Sequence, residues 1–179
     1  SYSDELTLPT HQISQASDVE QNRHLVCVDS RIAPSLVVEA LNEGRLEIFG
    51  DLRFYRKEVT YMDSRLDLEF CGNSVRCLVE VKSVSLVRDG ISYFPDAPTQ
   101  RGRRHLQTLV SAVRNGYRCM IIFVILRADA KDWCPNDESD PLFGEELRRA
   151  IKFGVEVYAY NCRITQREIL LAERVPIHL

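Results

Sequence analysis

The sequence predicts an α/β fold in which helices flank a mixed β-sheet, and three observations favour it. An almost continuous apolar run at residues 118–126 is typical of a central, buried strand. Two shorter runs, at 64–70 and 75–82, are joined by the turn residues Gly-Asn-Ser at 72–74, which is the pattern of a β-hairpin. A later segment carries apolar residues at the i, i+3, i+4, i+7 spacing of an amphipathic helix.

The part of the chain before the hairpin contains two strand patterns and one helix pattern. Residues 1–24 are polar and without sustained periodicity, so we expect a tail there. Residues 25–28 (Leu-Val-Cys-Val) predict a short strand, and residues 52–61 predict a second one. Pro34 suits the first turn of a helix that runs to Asn42 and is ended by Gly44. The apolar stripe of this helix consists of Leu36, Val37, Ala40 and Leu41.

The part after the hairpin alternates helices and strands. A small turn at 88–90 precedes a basic helix, which Thr99 caps and Gly116 stops after Asn115. Its apolar residues are Leu106, Leu109, Val110 and Val113. The central strand, 118–126, follows, and then a predicted loop that contains Trp133, Cys134 and Pro135. A helix over 141–152 and a final core strand over 155–160 complete the pattern.

The order of these elements is helix, three strands, helix, strand, helix, strand. That order describes an αβββαβ core, the layout of the restriction-endonuclease-like fold, with a mixed sheet between layers of helix. We expect one domain over residues 25–179, because 179 residues with 45% hydrophobic content suffice for one packed core.

Composition and charge narrow the class of protein further. No apolar run approaches the ~20 residues needed to span a bilayer, and residues 1–5 lack the features of a signal peptide, so we expect a cytoplasmic protein without membrane contact. The net charge of −3 and pI near 5.8 are not those of a strong general DNA binder. Six scattered cysteines without a Cys-x-x-Cys pair predict reduced thiols.

The most informative residues are Asp67, Glu80 and Lys82 on the two strands of the hairpin. A hairpin brings its strands within about 5 Å, so the two carboxylates can converge on one cation. Mg²⁺ or Mn²⁺ prefers oxygen ligands, and the carbonyl of Val81 is a candidate third ligand. Lys82 shares a strand face with Glu80, where it can hold a phosphate oxygen or orient an attacking water. The spacing predicts a metal-dependent phosphodiesterase site.

The alternative interpretation is an exposed ion pair between Glu80 and Lys82 that contributes little, with Asp67 on a solvated edge strand. The surrounding sequence disfavours it. Four of the six residues from 77 to 82 are apolar, and a buried charge needs a partner or a metal. Lys82 is also one of only four lysines, against nineteen arginines.

A basic patch opens the helix after Thr99. Arg101, Arg104 and His105 lie where free backbone N–H groups and the helix dipole favour a phosphate, and Arg65 on the hairpin is a further candidate. We therefore predict that these four residues bind nucleic acid. The alternative is a solvated, arginine-rich helix face.

Several longer motifs resemble one known family. Residues 80–86 (Glu-Val-Lys-Ser-Val-Ser-Leu), 94–102 (Phe-Pro-Asp-Ala-Pro-Thr-Gln-Arg-Gly) and 105–106 (His-Leu) look like the signature of the sugar fermentation stimulation protein A (SfsA) family. Residues 64–67, 154–157 and 175–177 are similar to its other landmarks. The match begins near Leu25 and reaches Leu179.

The resemblance implies a C-terminal domain of the PD-(D/E)xK nuclease superfamily, with Asp67, Glu80 and Lys82 on its motif positions. Typical members carry an OB-like domain linked with DNA binding before this region, so residues 1–24 are expected to be a remnant of it. The chain also departs from the family at Pro34, where asparagine is usual, and at residues 60–62, where Lys-Tyr-Gly is usual. The entrance to the site is expected to differ accordingly.

A third carboxylate usually completes such a site, and the sequence offers two candidates, Glu58 and Glu39, with Asp96 as a further acid in a recognisable motif. Glu58 lies on the strand next to Asp67 and is the preferred one. Glu39 falls on the far side of its helix from the apolar stripe, which favours a solvated position. Asp96, beside two prolines, is as well explained by a capped turn.

Three functions follow as hypotheses. The first is a Mg²⁺- or Mn²⁺-dependent nuclease that binds DNA and hydrolyses phosphodiester bonds, and many nucleases of this fold act as homodimers. The second is a non-catalytic DNA-binding regulator of sugar (maltose) metabolism genes, because fold does not fix function. A protein-interaction domain with a vestigial site is a third, weaker hypothesis.

Overall fold

The protein is built on a six-stranded mixed sheet, seen in a computed structural model that describes residues 13–15, 25–27 and 29–179. Its six strands are β3 (Arg53–Tyr61), β4 (Ser64–Gly72), β5 (Val75–Val84), β8 (Arg118–Ile125), β10 (Glu156–Ile164) and β11 (Ile169–Arg174). They lie in the order β11-β10-β8-β5-β4-β3. β5, β8 and β10 are parallel, whereas β3, β4 and β11 run antiparallel to their neighbours.

Helices cover both faces of this sheet and create two hydrophobic clusters. Helix α1 (Ala33–Asn42) packs on one face, where its buried residues join the first cluster with Met120, Ile122 and Val124 of β8. Helices α2 (Gln100–Arg114) and α3 (Pro141–Lys152) pack on the other face with the alternate residues of β8. Because both faces of β8 are covered, its run of apolar residues is fully buried, as predicted.

The α1, β3, β4, β5, α2, β8 order confirms the predicted α/β class with its αβββαβ core. The predicted loop around Trp133 is wrong, because β9 (Asp132–Pro135) pairs with β7 (Ile91–Phe94), and β7 pairs with β6 (Val87–Arg88) in a separate three-stranded sheet. β10 is not the final strand, since β11 pairs antiparallel with it.

Two short strands lie at the start of the described chain. β1 (Ile13–Gln15) pairs antiparallel with β2 (Leu25–Cys27), so the predicted strand at 25–28 is confirmed over its first three residues. β1 falls inside the expected tail of residues 1–24, the rest of which lies outside the described residues.

The β3–β4 hairpin bends as it passes the middle of the sheet. Lys57 pairs with Leu68 and Val59 with Leu66, so Glu58 stands opposite Asp67. Leu68 packs in the first cluster, whereas Val59 and Leu66 pack in the second cluster with α2. Residues two apart on a regular strand share a face, so the hairpin must change faces at the Glu58–Asp67 pair.

Side chains at the hairpin tip fix it on α2. The hydroxyls of Ser64 and Thr108 are hydrogen-bonded at 2.8 Å, and the rings of Tyr61 and Tyr117 meet edge to face at 5.3 Å. The tip therefore leans over the helix, and Asp67 lies at the bend.

The starts of α2 and α3 are joined by one buried carboxylate. Thr99 caps α2, as predicted, by accepting a hydrogen bond from the Gly102 N–H at 3.0 Å. Asp140 caps α3 and also accepts from the Thr99 N–H and from Arg103, both at 2.8 Å. A Cβ on Gly102 would lie 2.8 Å from Thr99 Cγ2 and 3.2 Å from Phe143, so only glycine allows this approach. These contacts hold the first turn of α2 in a fixed position over the sheet.

Two further observations concern the whole described chain. Within residues 13–15, 25–27 and 29–179, no helix is long and apolar enough to cross a bilayer. All six cysteines are free thiols, and four of them are buried.

Candidate metal centre

The centre forms where β4 and β5 move apart. The last residues that pair between the two strands are Leu68 and Val79. Beyond them the Val81 N–H donates to Asp67 Oδ2 at 2.8 Å, so a carboxylate oxygen takes the place of a ladder carbonyl. The bend in the hairpin thus brings the Asp67 side chain against the β5 backbone.

Glu80 lies on the face of β5 that α2 covers and is only 2% exposed. Its Oε1 accepts a hydrogen bond from Lys82 Nζ at 2.6 Å and contacts His105 Nδ1 of α2 at 2.5 Å. The two nitrogens lie 3.4 Å apart. One carboxylate oxygen therefore contacts both a lysine of its own strand and a histidine of the neighbouring helix.

The other oxygen of the same carboxylate, Glu80 Oε2, is buried and has no hydrogen-bond partner. Leaving a buried acceptor unpaired costs about 1–3 kcal/mol, and more for a charged group. Buried polar atoms in folded proteins are nearly always satisfied, so an unpaired carboxylate oxygen indicates a ligand that the chain itself does not supply.

The two carboxylates respond to their surroundings in opposite ways. Burial, reinforced by the negative charge of Glu80, raises the pKa of Asp67 to about 6. Burial also opposes ionisation of Glu80, but the hydrogen bond from His105 and the charges of Lys82 and His105 outweigh it, so the pKa of Glu80 is lowered. Glu80 is thus held ionised, whereas Asp67 ionises reluctantly.

The donor set fits a hard divalent cation. It comprises two carboxylates on adjacent strands, and one of their oxygens is unpaired. The N–H and C=O of a strand residue point toward the same neighbour, so the carbonyl of Val81 faces β4 as its N–H does. No three or more His, Cys, Asp or Glu side chains are grouped to hold a metal anywhere in the described chain. A cation here would therefore need backbone and solvent oxygens beside Asp67 and Glu80.

Glu58 stands opposite Asp67 on β3, and Arg65 precedes Asp67 by two residues on β4, but both side chains are exposed. The carboxylate of Glu58 forms an ion pair with the guanidinium of Arg65, and these side chains are 67% and 61% exposed. The backbone of Glu58 has a φ of 56°, which belongs to the left-handed region. The third-carboxylate role of Glu58 remains a prediction.

The basic patch on α2 divides between surface and interior. Arg101 and Arg104 are exposed on the first turns of the helix, as a phosphate-binding role requires. His105 is only 2% exposed and contacts Glu80, so its predicted place on the nucleic-acid surface is corrected. The reason is periodicity: His105 follows Gly102 by three residues and precedes Leu109 by four, which puts it on the buried face.

Within the described residues, neither Glu39 nor Asp96 forms a metal-ligating group with Asp67 and Glu80. Asp96 is exposed in the turn before α2, and Glu39 is half-buried on α1. The contact that sequence reasoning missed is the one between His105 and Glu80. The four-residue spacing between His105 and Leu109 could have predicted a buried His105, because residues i and i+4 share a helix face.

Comparison with known proteins identifies a family. The family model described as "Sugar fermentation stimulation protein RE domain" matches residues 31–168. A sugar fermentation stimulation protein homolog from Desulforamulus reducens is 42% identical over 155 residues, which make up 87% of this chain and 65% of the relative. A homolog from Thermoanaerobacter pseudethanolicus is 39% identical over 159 residues, or 89% of this chain and 69% of the relative. The chain spans about two thirds of the length of these relatives.

A solved structure shares the fold. SfsA from Pyrococcus furiosus, in complex with Ca²⁺, superposes with a TM-score of 0.83 over 93% of this chain and 77% of the archaeal one, at 23% identity. At this sequence identity the likeness is one of fold.

Proposed function

Because this chain belongs to the sugar fermentation stimulation protein family, we propose that it is a divalent-metal-dependent nuclease that binds DNA and hydrolyses phosphodiester bonds. The observation that carries the proposal is the buried, unpaired Oε2 of Glu80 beside Asp67. A buried carboxylate next to a half-buried one, with a charge that is only partly offset, favours a bound cation.

Mg²⁺ or Mn²⁺ is the proposed cation, held by Asp67, by Glu80 through Oε2 and by the carbonyl of Val81. The Pyrococcus protein was solved with Ca²⁺, and Ca²⁺ and Mg²⁺ share a preference for oxygen ligands. When bound, such a cation supplies Lewis acidity toward a phosphate oxygen. Asp67, Glu80 and Val81 would supply three oxygen ligands, and oxygens of substrate and solvent would supply the others.

The residues of the chain itself have separate roles in the proposal. Lys82 Nζ lies 2.6 Å from Glu80 Oε1, at the edge of the centre, where an ammonium can hold a scissile phosphate oxygen or orient the attacking water. Asp67 stays anchored to the Val81 N–H, which limits its rotation. Arg101 and Arg104 are exposed on α2 and Arg65 is exposed on β4, and all three would neutralise the phosphate backbone of DNA.

One observation favours the second candidate function, a DNA-binding regulator without catalysis. The net charge of −3 disfavours a strong, processive nuclease. The 2.6 Å hydrogen bond from Lys82 to Glu80 does not separate the candidates, because an ammonium has two further N–H donors for a water or a phosphate. The two candidates differ in turnover and share the need for local basic residues, so cleavage separates them.

The test is cleavage of supercoiled plasmid and of a four-way DNA junction in Mg²⁺ or Mn²⁺. We expect metal-dependent nicking by the wild-type chain, and a loss of at least about 100-fold in Lys82→Ala, since a positioned acid–base or electrostatic group contributes about 10²–10⁴-fold. Asp67→Ala should be equally inactive, because half of the carboxylate ligand set is gone.

The matched control is Lys152→Ala, which removes an exposed lysine at the far end of α3. It should nick DNA at the wild-type rate. Unchanged cleavage by Lys82→Ala would remove the catalytic assignment. Absence of cleavage by a wild-type chain that still binds Mn²⁺ and DNA would favour the regulator.

A further inference from the structure

We infer that His105 is a positioning residue of the metal centre: its Nδ1–H holds Glu80 Oε1, and so directs Oε2 at the cation. The inference rests on the proposed function for the presence of a cation. It assigns to the centre a residue from α2, outside the hairpin that carries the carboxylates. His105 would touch neither substrate nor metal.

The hydrogen positions follow from the three distances. Lys82 Nζ is an ammonium and can only donate, so its 2.6 Å contact with Glu80 Oε1 is a donated hydrogen bond. His105 Nδ1 lies 2.5 Å from the same oxygen. Two lone pairs at that distance would repel, so Nδ1 must carry a hydrogen and donate it to Glu80.

The same argument excludes the competing arrangement. Lys82 Nζ and His105 Nδ1 are 3.4 Å apart, and a bond between them would require a bare Nδ1 facing the carboxylate. With Nδ1 protonated, both nitrogens are donors and both point at Oε1. A carboxylate oxygen offers two lone pairs, so Oε1 is saturated and only Oε2 can take a cation.

The packing around His105 keeps this donor in place. The ring is 2% exposed on the buried face of α2, between the Gly102 contact with Thr99 and the apolar residues Leu106 and Leu109. The Asp140 hydrogen bonds to Thr99 and Arg103 fix the first turn of the same helix. A donor on a rigid element fixes its acceptor better than Lys82 does, because a lysine side chain has four rotatable bonds.

The first experiment compares Mn²⁺ affinity, measured by calorimetry, in three variants of the full chain. His105→Asn places an amide N–H near the position of Nδ1, His105→Gln places it near Nε2, and His105→Leu keeps the volume without a donor. We expect His105→Leu and His105→Gln to weaken Mn²⁺ binding about 10–100-fold, the usual effect of losing a group that orients a metal ligand. His105→Asn should stay within about threefold of the wild-type affinity.

Rescue by Asn and not by Gln is the outcome that a merely space-filling role would not produce. Equal affinity of His105→Leu and wild type, or equal rescue by Asn and Gln, would overturn the inference. If His105→Leu fails to fold, His105→Asn and His105→Gln still decide, because both carry the same amide and the one methylene between them sets where that amide lies.

A second measurement needs no metal. Long-range ¹H–¹⁵N correlation spectra of the metal-free protein report which ring nitrogen of His105 carries hydrogen. A protonated Nδ1 is expected, and a bare Nδ1 would overturn the inference. Failure of the proposed function gives a different result from failure of this inference. In that case neither the wild type nor Asp67→Ala would bind Mn²⁺. The nitrogen spectra would still show whether His105 Nδ1 carries the hydrogen that it donates to Glu80.

Discussion

At the scale of single residues, the centre combines one carboxylate that is stabilised as an anion with one that is not. Glu80 has two donors on Oε1, and its pKa is lowered. Asp67 has one backbone N–H, and burial together with the charge of Glu80 raises its pKa to about 6. Ionised Asp67 is therefore the destabilised member of the pair, and a cation would relieve it.

Substitution of Asp67 by asparagine should reveal this cost as a function of pH. Below the ordinary pKa of 3.8, Asp67 is protonated in both the folded and unfolded chains. As pH rises to about 6, the unfolded chain ionises first, so Asp67 progressively lowers the free energy of unfolding. Above about 6 the penalty is constant, about 3 kcal/mol at about 1.4 kcal/mol per pH unit.

The measurement is urea unfolding in EDTA, followed by fluorescence of Trp133, the single, buried tryptophan. Asp67→Asn retains an acceptor for the Val81 N–H, so its stability relative to wild type should increase from pH 4 to 6 and then level off. A difference that stays constant with pH would contradict the raised pKa. In the wild type, Mg²⁺ should bind more weakly below pH 6, because protons compete for Asp67.

At the scale of elements, the β3–β4 hairpin changes faces at the Glu58–Asp67 pair, and Glu58 carries the local backbone distortion. Its φ of 56° lies in the left-handed region, which costs an L-residue roughly 1–2 kcal/mol and costs glycine nothing. Strained residues concentrate at functional sites, and this one stands opposite a proposed metal ligand.

Two substitutions at Glu58 together measure the free energy of the backbone strain at this bend. We expect Glu58→Gly to be more stable than Glu58→Ala by up to about 1 kcal/mol, since relief of strain exceeds the extra entropy that glycine loses on folding. Both variants lose the Arg65 ion pair, so the comparison cancels it. Chemical denaturation curves measure the difference.

The control is Thr60, which is exposed on the same strand and outside the left-handed region. There, Thr60→Gly should be less stable than Thr60→Ala by about 0.5–1 kcal/mol. The same sign at both positions would mean that the bend at Glu58 stores no strain.

Elements with local signals were predictable, and elements made by distant pairing were not. Thr99 and the apolar spacing after it located α2, and the turn at 72–74 located the hairpin. β9 escaped because its partner β7 lies about forty residues earlier, at Ile91–Phe94, and nothing within Asp132–Pro135 encodes that pairing. β11 escaped for the same reason, since its strand character depends on antiparallel contact with β10.

The candidate centre shows the same division. Two strand neighbours, Asp67 and Glu80, could be placed together from the turn between them. The position of His105 required the packing of α2 on the sheet, and the bend that turns Asp67 toward Val81 required the contacts of the hairpin tip with α2. Those are tertiary contacts, which a linear pattern does not contain.

At the scale of the whole molecule, the proposed DNA binding would have to overcome a net charge of −3. A polyanion would be repelled by the average surface and attracted only by local basic groups. Arg101 and Arg104 meet this requirement, because they are exposed on the helix whose buried face contacts Glu80. Phosphate contacts made there would hold the DNA backbone over the centre.

Salt dependence of DNA binding tests that local mechanism. Each phosphate contact that a protein makes releases counterions and contributes about −0.9 to the slope of log K against log salt. Arg104→Ala should therefore weaken binding similarly for unrelated duplex sequences and make the slope shallower by about 1. Fluorescence anisotropy in EDTA, between about 50 and 200 mM salt, measures both effects without cleavage.

Arg163→Ala is the matched control, because Arg163 is an exposed arginine on β10, away from α2. It removes the same charge, so any general electrostatic effect of a net charge of −4 appears equally in both variants. A steeper slope for wild type than for Arg104→Ala, with Arg163→Ala unchanged, assigns the contact to the first turns of α2. Equal slopes in all three proteins would place the DNA on another surface, and the arginines of α2 would then be a solvated helix face.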